Sequence, residues 1–156
     1  MVPMRNFLEY LEFSSQIKDW SCGPAVVQMI LSASGVDEKE SDLIRDMGAN
    51  PKRGTNPGKM VSFLRERGFS CESNENSTLK DISSALEDSH VVILYFLKDW
   101  SVDHYALVKS MNEDRIVLFD PWYGRNHDYG LDHFEKIWHG DPKFGNVNKW
   151  MMRVKK

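Results

Sequence analysis

A thiol, an imidazole and a carboxylate follow one another along this chain as Cys22, His104 and Asp120. Three such groups can open an amide bond: a thiolate attacks the carbonyl carbon, an imidazole moves the protons, and a carboxylate orients the imidazole. Gln16, shortly before the cysteine, adds side-chain N–H donors that can meet the developing oxyanion beside the backbone N–H of Cys22.

Each group needs an element to hold it. The stretch DWSCGPAVVQMIL puts Cys22 at the start of an apolar run of helical length, where unpaired N–H groups and the helix dipole favour a thiolate over a thiol. Ser21 can cap that helix, and Pro24 falls in its first turn, where a missing N–H costs nothing. Gly23 leaves out a side chain just where a substrate carbonyl would approach the sulfur. Taken alone, the segment equally suits a small buried residue on a core helix.

His104 lies in the strand pattern VDHYALV and shares a face with Val102, Ala106 and Val108. In the next strand, RIVLFD, Asp120 shares a face with Ile116 and Leu118 before Pro121 ends the ladder. The intervening MNED makes the pair a hairpin. A loop with an odd number of residues centred on Asn112 sets His104 directly opposite Asp120, with Cβ atoms about 5 Å apart; a two-residue loop turns them to opposite faces. A satisfied core histidine beside an ordinary strand-ending Asp-Pro is the other reading of this pattern.

The surrounding pattern is helical first and stranded afterwards. Helices are expected over residues 22–34, over EKESDLIRDM before Gly48, and over residues 57–67 before Gly68. FSCES then reads as a short strand and TLKDISSALEDS as a helix capped by Ser77 or Thr78. VVILYFL, DHYALVKS and RIVLFD read as strands, followed by a loop with two glycines, a short helix LDHFEKIW and a closing strand WMMRV. This order predicts an α+β fold in a single domain over residues 1–156.

Composition narrows the partners. With 20 Lys and Arg against 23 Asp and Glu, the formal net charge of -3 leaves no basic footprint for nucleic acid or an anionic membrane. The N-terminal stretch is interrupted by Arg5, Glu9 and Glu12, so it lacks the apolar run of a signal segment, and no run is long enough to span a membrane. The chain is expected to be cytoplasmic, with Cys22 and Cys71 as thiols. His127, His133 and His139 recur at intervals that fit no metal-ligand pattern, so neither metal nor cofactor is expected. His90, just after a helix, is placed to stabilise that helix's C-terminal end when charged.

The set QIKDWSCGPAVVQMIL, DHYALV and FDPW resembles the papain-like cysteine peptidases that process bacteriocin precursors behind a double-glycine leader, and their stand-alone relatives. RGTNPGKMVSFLRERGF is similar to that family's Gly-Thr loop and following helix, and DPWYG with LDHFEKIWHG to its segment after the aspartate. The resemblance implies a papain-like fold with N-terminal helices packed on an antiparallel sheet. It also implies Cys22 as nucleophile, His104 as general base and acid, Asp120 as the residue orienting the imidazole, and Gln16 as oxyanion donor. Ser21 and Asp103 depart from the family pattern without removing any of these groups; Asp103 adds a negative charge that can raise the imidazole pKa.

A peptide or protein substrate is therefore expected. No Walker-type motif accompanies the domain, so leader cleavage is one candidate among several, and transfer of the acyl group to an amine uses the same thioester chemistry. Trp20, Trp100, Trp122 and Trp138 read as exposed. Trp20 and Trp122 adjoin the proposed nucleophile and aspartate and are candidate walls of a substrate groove; they also suit a module that holds a leader without cutting it, or plain packing.

Overall fold

Helix α1 (Cys22–Ala33) is apolar nearly all round because it is buried nearly all round: Val26, Val27, Met29 and Ile30 have no exposed surface. The computed structural model describes residues 8, 10–145 and 147–156; the N-terminal stretch read as lacking a signal segment lies mostly outside them. Two further helices, α2 (Glu40–Met47) and α3 (Pro57–Glu66), pack around α1. Gly48 and Gly68 end them in the left-handed region, with φ of 66° and 89°, so that the next N–H groups turn back onto the last carbonyls. Asn56 caps α3 by accepting from the N–H groups of Gly58 and Lys59.

The second half forms a six-stranded antiparallel sheet in the order β1-β6-β2-β3-β4-β5. The strands are β1 (Ser70–Asn74), β2 (His90–Leu97), β3 (Val102–Met111), β4 (Arg115–Asp120), β5 (Gly124–Gly130) and β6 (Met151–Lys155). Strand β5 replaces the expected glycine-containing loop: GRNHDYG is an edge strand, exposed at Arg125, Asn126 and Asp128 and half-buried elsewhere, without apolar alternation and defined by its pairing with β4. Thr78, not Ser77, caps α4 (Leu79–Ala85), in a capping box with Asp81. The last helix is α5 (Leu131–Ile137).

Both faces of the sheet are covered. Val92, Leu94, Tyr105, Leu107 and Phe119 pack against α1, α2 and α3, whereas Val91, Ile93, Tyr95, Ala106, Leu118 and the helices α4 and α5 build a second core behind it. This alternation explains why VVILYFL is apolar without a break. Trp138, expected at the surface, is fully buried in that second core and donates through Nε1 to the Trp150 carbonyl. His90 is buried too, and burial pushes its pKa down to about 3, so it does not act as a charged partner of a helix end.

Candidate active site

The β3–β4 hairpin turns tightly. Asn112 N–H donates to the Arg115 carbonyl at 3.0 Å, leaving Glu113 and Asp114 as the connection. Continued straight, that register would set His104 and Asp120 on opposite faces. A bulge between Val108 and Ser110 shifts it by one residue, so that Val108 faces Leu118 and Leu107 faces Phe119. His104 and Asp120 therefore share a face but lie diagonally, not directly opposite as expected. Their side chains are 4% and 0% exposed, and Nε2 of His104 lies 2.7 Å from Oδ1 of Asp120.

Asp120 is held on all sides. Its Oδ1 also accepts from the N–H groups of Trp122 at 2.9 Å and Tyr123 at 3.1 Å, while Oδ2 accepts from the Tyr95 hydroxyl. Burial pushes the carboxyl upward, but the bonds from His104, Tyr95 and the Trp122 N–H outweigh it and hold the pKa below the ordinary range.

The β3–β4 ladder ends at Leu107 and Phe119, and the first residue of α1 fills the gap. There the Tyr105 N–H donates to Cys22 Sγ at 3.4 Å. Burial opposes the charge on the His104 ring, yet Cys22 and Asp120 together raise its pKa. Ser21 does not cap α1 with its side chain, contrary to expectation. Its Oγ donates to Oε2 of Glu40 at 2.8 Å and accepts from the Lys18 N–H at 2.9 Å. The dipole end of α1 thus faces the thiol without a capping oxygen in between.

Glu40, which the sequence did not single out, braces this approach. It is buried, with its pKa raised by burial against the bonds it accepts from the Ile17 N–H at 2.7 Å and from Ser21. Gln16 joins the same corner: its backbone N–H donates to the Pro121 carbonyl at 3.0 Å, and its side-chain Nε2 donates to the Lys18 carbonyl at 2.6 Å. One N–H of that amide is thereby engaged, and the other remains to donate.

Gln16, Cys22 and His104 open onto a cleft of about 580 Å³. Trp20 and Trp122 both line it, as does Trp100, whose ring meets Trp122 edge to face at 5.5 Å. Gly23 does not face it. A Cβ on Gly23 would stand 2.5 Å from Thr55 Oγ1 and 2.7 Å from Thr55 Cβ, so its missing side chain makes room for Thr55. Thr55 comes from the Gly-Thr loop, and its carbonyl accepts from the Tyr105 hydroxyl at 2.9 Å. Asp103 turns toward residue 141, accepting from the Asp141 N–H at 3.3 Å, and burial raises its pKa. Among the described residues, no group of three or more His, Cys, Asp or Glu side chains could hold a metal ion, and no helix is long and apolar enough to cross a membrane.

The fold has counterparts. The sequence profile of the peptidase C39 family matches residues 11–141. An uncharacterized protein of Methanothermobacter thermautotrophicus is 32% identical over 114 residues, covering 70% of this chain and 71% of the relative. Among solved structures, the peptidase domain of Streptococcus ComA, a bi-functional ABC transporter involved in a quorum sensing pathway, superposes with a TM-score of 0.72 at 20% identity, covering 93% of this chain and 97% of that one. A double glycine motif protease from an AMS/PCAT transporter, in complex with the leader peptide, gives 0.70 at 14% identity over 93% and 91% of the two chains. At these identities the likeness is one of fold, and that fold is the papain-like α+β arrangement expected from the sequence.

Proposed function

The chain belongs to the peptidase C39 family, and from that membership we propose that it is a cysteine peptidase acting through Cys22, His104 and Asp120. The observation that carries the reading is the buried His104–Asp120 bond of 2.7 Å set against a cysteine at a helix start. Asp120 engages Nε2, which leaves Nδ1 of His104 to exchange the proton with the sulfur. The thiolate adds to the amide carbonyl, and the oxyanion accepts from the Cys22 N–H and the free N–H of Gln16. His104 then passes its proton to the departing amine as the C–N bond breaks. Water, losing a proton to His104, attacks the thioester, and cleavage of the C–S bond releases the acid and restores the thiol.

A peptide with a double-glycine motif is the first substrate to try, because the leader-bound protease of similar fold recognises one. The exposed tryptophans of the cleft suit such an extended ligand. Acyl transfer to an amine would share every step up to the thioester.

The test is hydrolysis of a double-glycine peptide library together with alkylation by iodoacetamide. Cys22→Ala is expected to abolish turnover with its circular dichroism unchanged, and Cys22 is expected to be alkylated first. Burial pushes the Cys71 thiol up to about 11, so at pH 7.5 its thiolate fraction is on the order of one in three thousand. Retained hydrolysis in Cys22→Ala, or faster modification of Cys71, would sink the assignment.

A further inference from the structure

Tyr95 is the one phenol in the run VVILYFL, and it has no exposed surface. It faces His104 directly in the β2–β3 register, and its ring meets the imidazole edge to face at 5.4 Å and 82°. Its hydroxyl donates to Oδ2 of Asp120, the carboxylate oxygen that His104, Trp122 and Tyr123 leave alone. From this geometry, and resting on the peptidase reading above, we propose that Tyr95 is a positioning residue: it holds the Asp120 carboxylate ionised and turned toward His104.

The physical case is one of satisfying a buried charge. Around Tyr95 the second core supplies Leu97, Ala106 and Leu118, which offer no hydrogen bond. A fully buried carboxylate with one oxygen unpaired either takes up a proton or rotates to share its other contacts, and either change loosens the imidazole. Tyr95 is suited to prevent both. Burial, and then the Asp120 charge, raise its pKa well above the ordinary phenol range, so the hydroxyl keeps its proton and remains a donor. The Tyr129 hydroxyl of β5 stands behind it at 3.5 Å and donates to the Tyr95 oxygen, orienting the chain of hydroxyls toward the carboxylate.

The titratable groups facing Asp120 are few. His104 comes from β3, Tyr95 from β2, and Tyr129 and His127 from β5, with Cys22 of α1 beyond the imidazole. His127 is held below its ordinary pKa, chiefly by burial, and is neutral at pH 7. Tyr95 is thus the donor on Oδ2 whose removal changes the carboxylate without changing the charge count.

Tyr95→Phe in the full chain removes only the hydroxyl. Because a hydrogen bond to a charged group is involved, kcat is expected to fall about ten- to a hundredfold with KM little changed. The acid limb of kcat/KM, and the protonation midpoint of Asp120 followed by carboxyl-labelled NMR, are expected to move up by about one pH unit or more. A role in packing alone would move neither. The NMR titration judges Tyr95 even if no peptide is cut, whereas failure of the parent to hydrolyse any peptide bears on the peptidase reading alone. In an Asp120→Asn background, where position 120 carries no carboxylate, Tyr95→Phe is expected to change the residual rate less than twofold. An unmoved Asp120 midpoint, or an equal loss in the Asp120→Asn background, would overturn the proposal.

Discussion

Replacing Gly23 by alanine separates a substrate role for that position from a packing role. The added Cβ would meet Thr55 Oγ1 at 2.5 Å, Cβ at 2.7 Å and Cγ2 at 3.2 Å, contacts too short to survive without movement. Thr55 is β-branched and 5% exposed, so it has little freedom to rotate away. Overpacking of this kind typically costs about 1–3 kcal/mol, against a gain of up to about 1 kcal/mol for alanine over glycine in a helix. A net loss of about 1–2 kcal/mol lowers Tm by roughly 2–8 °C for a chain of this size. Differential scanning calorimetry of Gly23→Ala, Thr55→Gly and the double variant reads the effect. Thr55→Ala would not suffice, because Cβ alone is already too close. The clash predicts that the double variant recovers the overpacking cost, about 1–3 kcal/mol, relative to the sum of the single changes. A single variant with parental Tm but no turnover would refute the packing account and return the glycine to the substrate.

Two further outcomes follow from buried titratable groups away from the nucleophile. Glu40→Ala leaves the Ile17 N–H without its acceptor and leaves the Ser21 hydroxyl only the Lys18 carbonyl at 3.0 Å, which should lower stability by about 1–3 kcal/mol in urea titrations and slow alkylation of Cys22; parental stability would show that Glu40 does not brace the segment. His90 is held neutral in the native state, with its pKa near 3, while the unfolded chain takes up a proton below about 6.5. Stability should therefore fall as pH drops through that interval, and between pH 7 and 5 the parent should lose about 2 kcal/mol more than His90→Leu; equal losses would contradict the burial.

What the sequence made legible is whatever local chemistry decides. Gly48 and Gly68 stop their helices with bonds made within a single turn, and the Thr78–Asp81 box is written in four consecutive residues. Strand β5 was illegible for the opposite reason. Its residues Arg125, Asn126 and Asp128 are exposed, so no apolar alternation marks a strand, and only pairing with β4 creates one. Ser21 shows the limit within one residue: its type suits a helix cap, but Glu40, nineteen positions away, captures the hydroxyl. Tyr95 left a weak trace, a hydroxyl inside an otherwise apolar strand, whose partner could be named only once β2, β3 and β4 were aligned.

The meeting of His104 and Asp120 depends on the least legible feature of all. The residue types were apparent, yet the register that joins them combines two departures from a simple hairpin. The tight turn at Asn112–Arg115 reverses which face Asp120 occupies relative to His104, and the bulge after Val108 reverses it again. Neither departure alone produces the site. No glycine marks the bulge; Lys109 occupies it, reaching Asn126 with its ammonium and lying over the Phe119 ring at 5.3 Å. Removing the bulged residue while keeping the turn would preserve every side chain of the candidate site and carry the imidazole to the other side of the sheet. With the turn given, the geometry of this site therefore depends on a backbone irregularity five residues from the histidine, at a position whose own side chain takes no part in the chemistry.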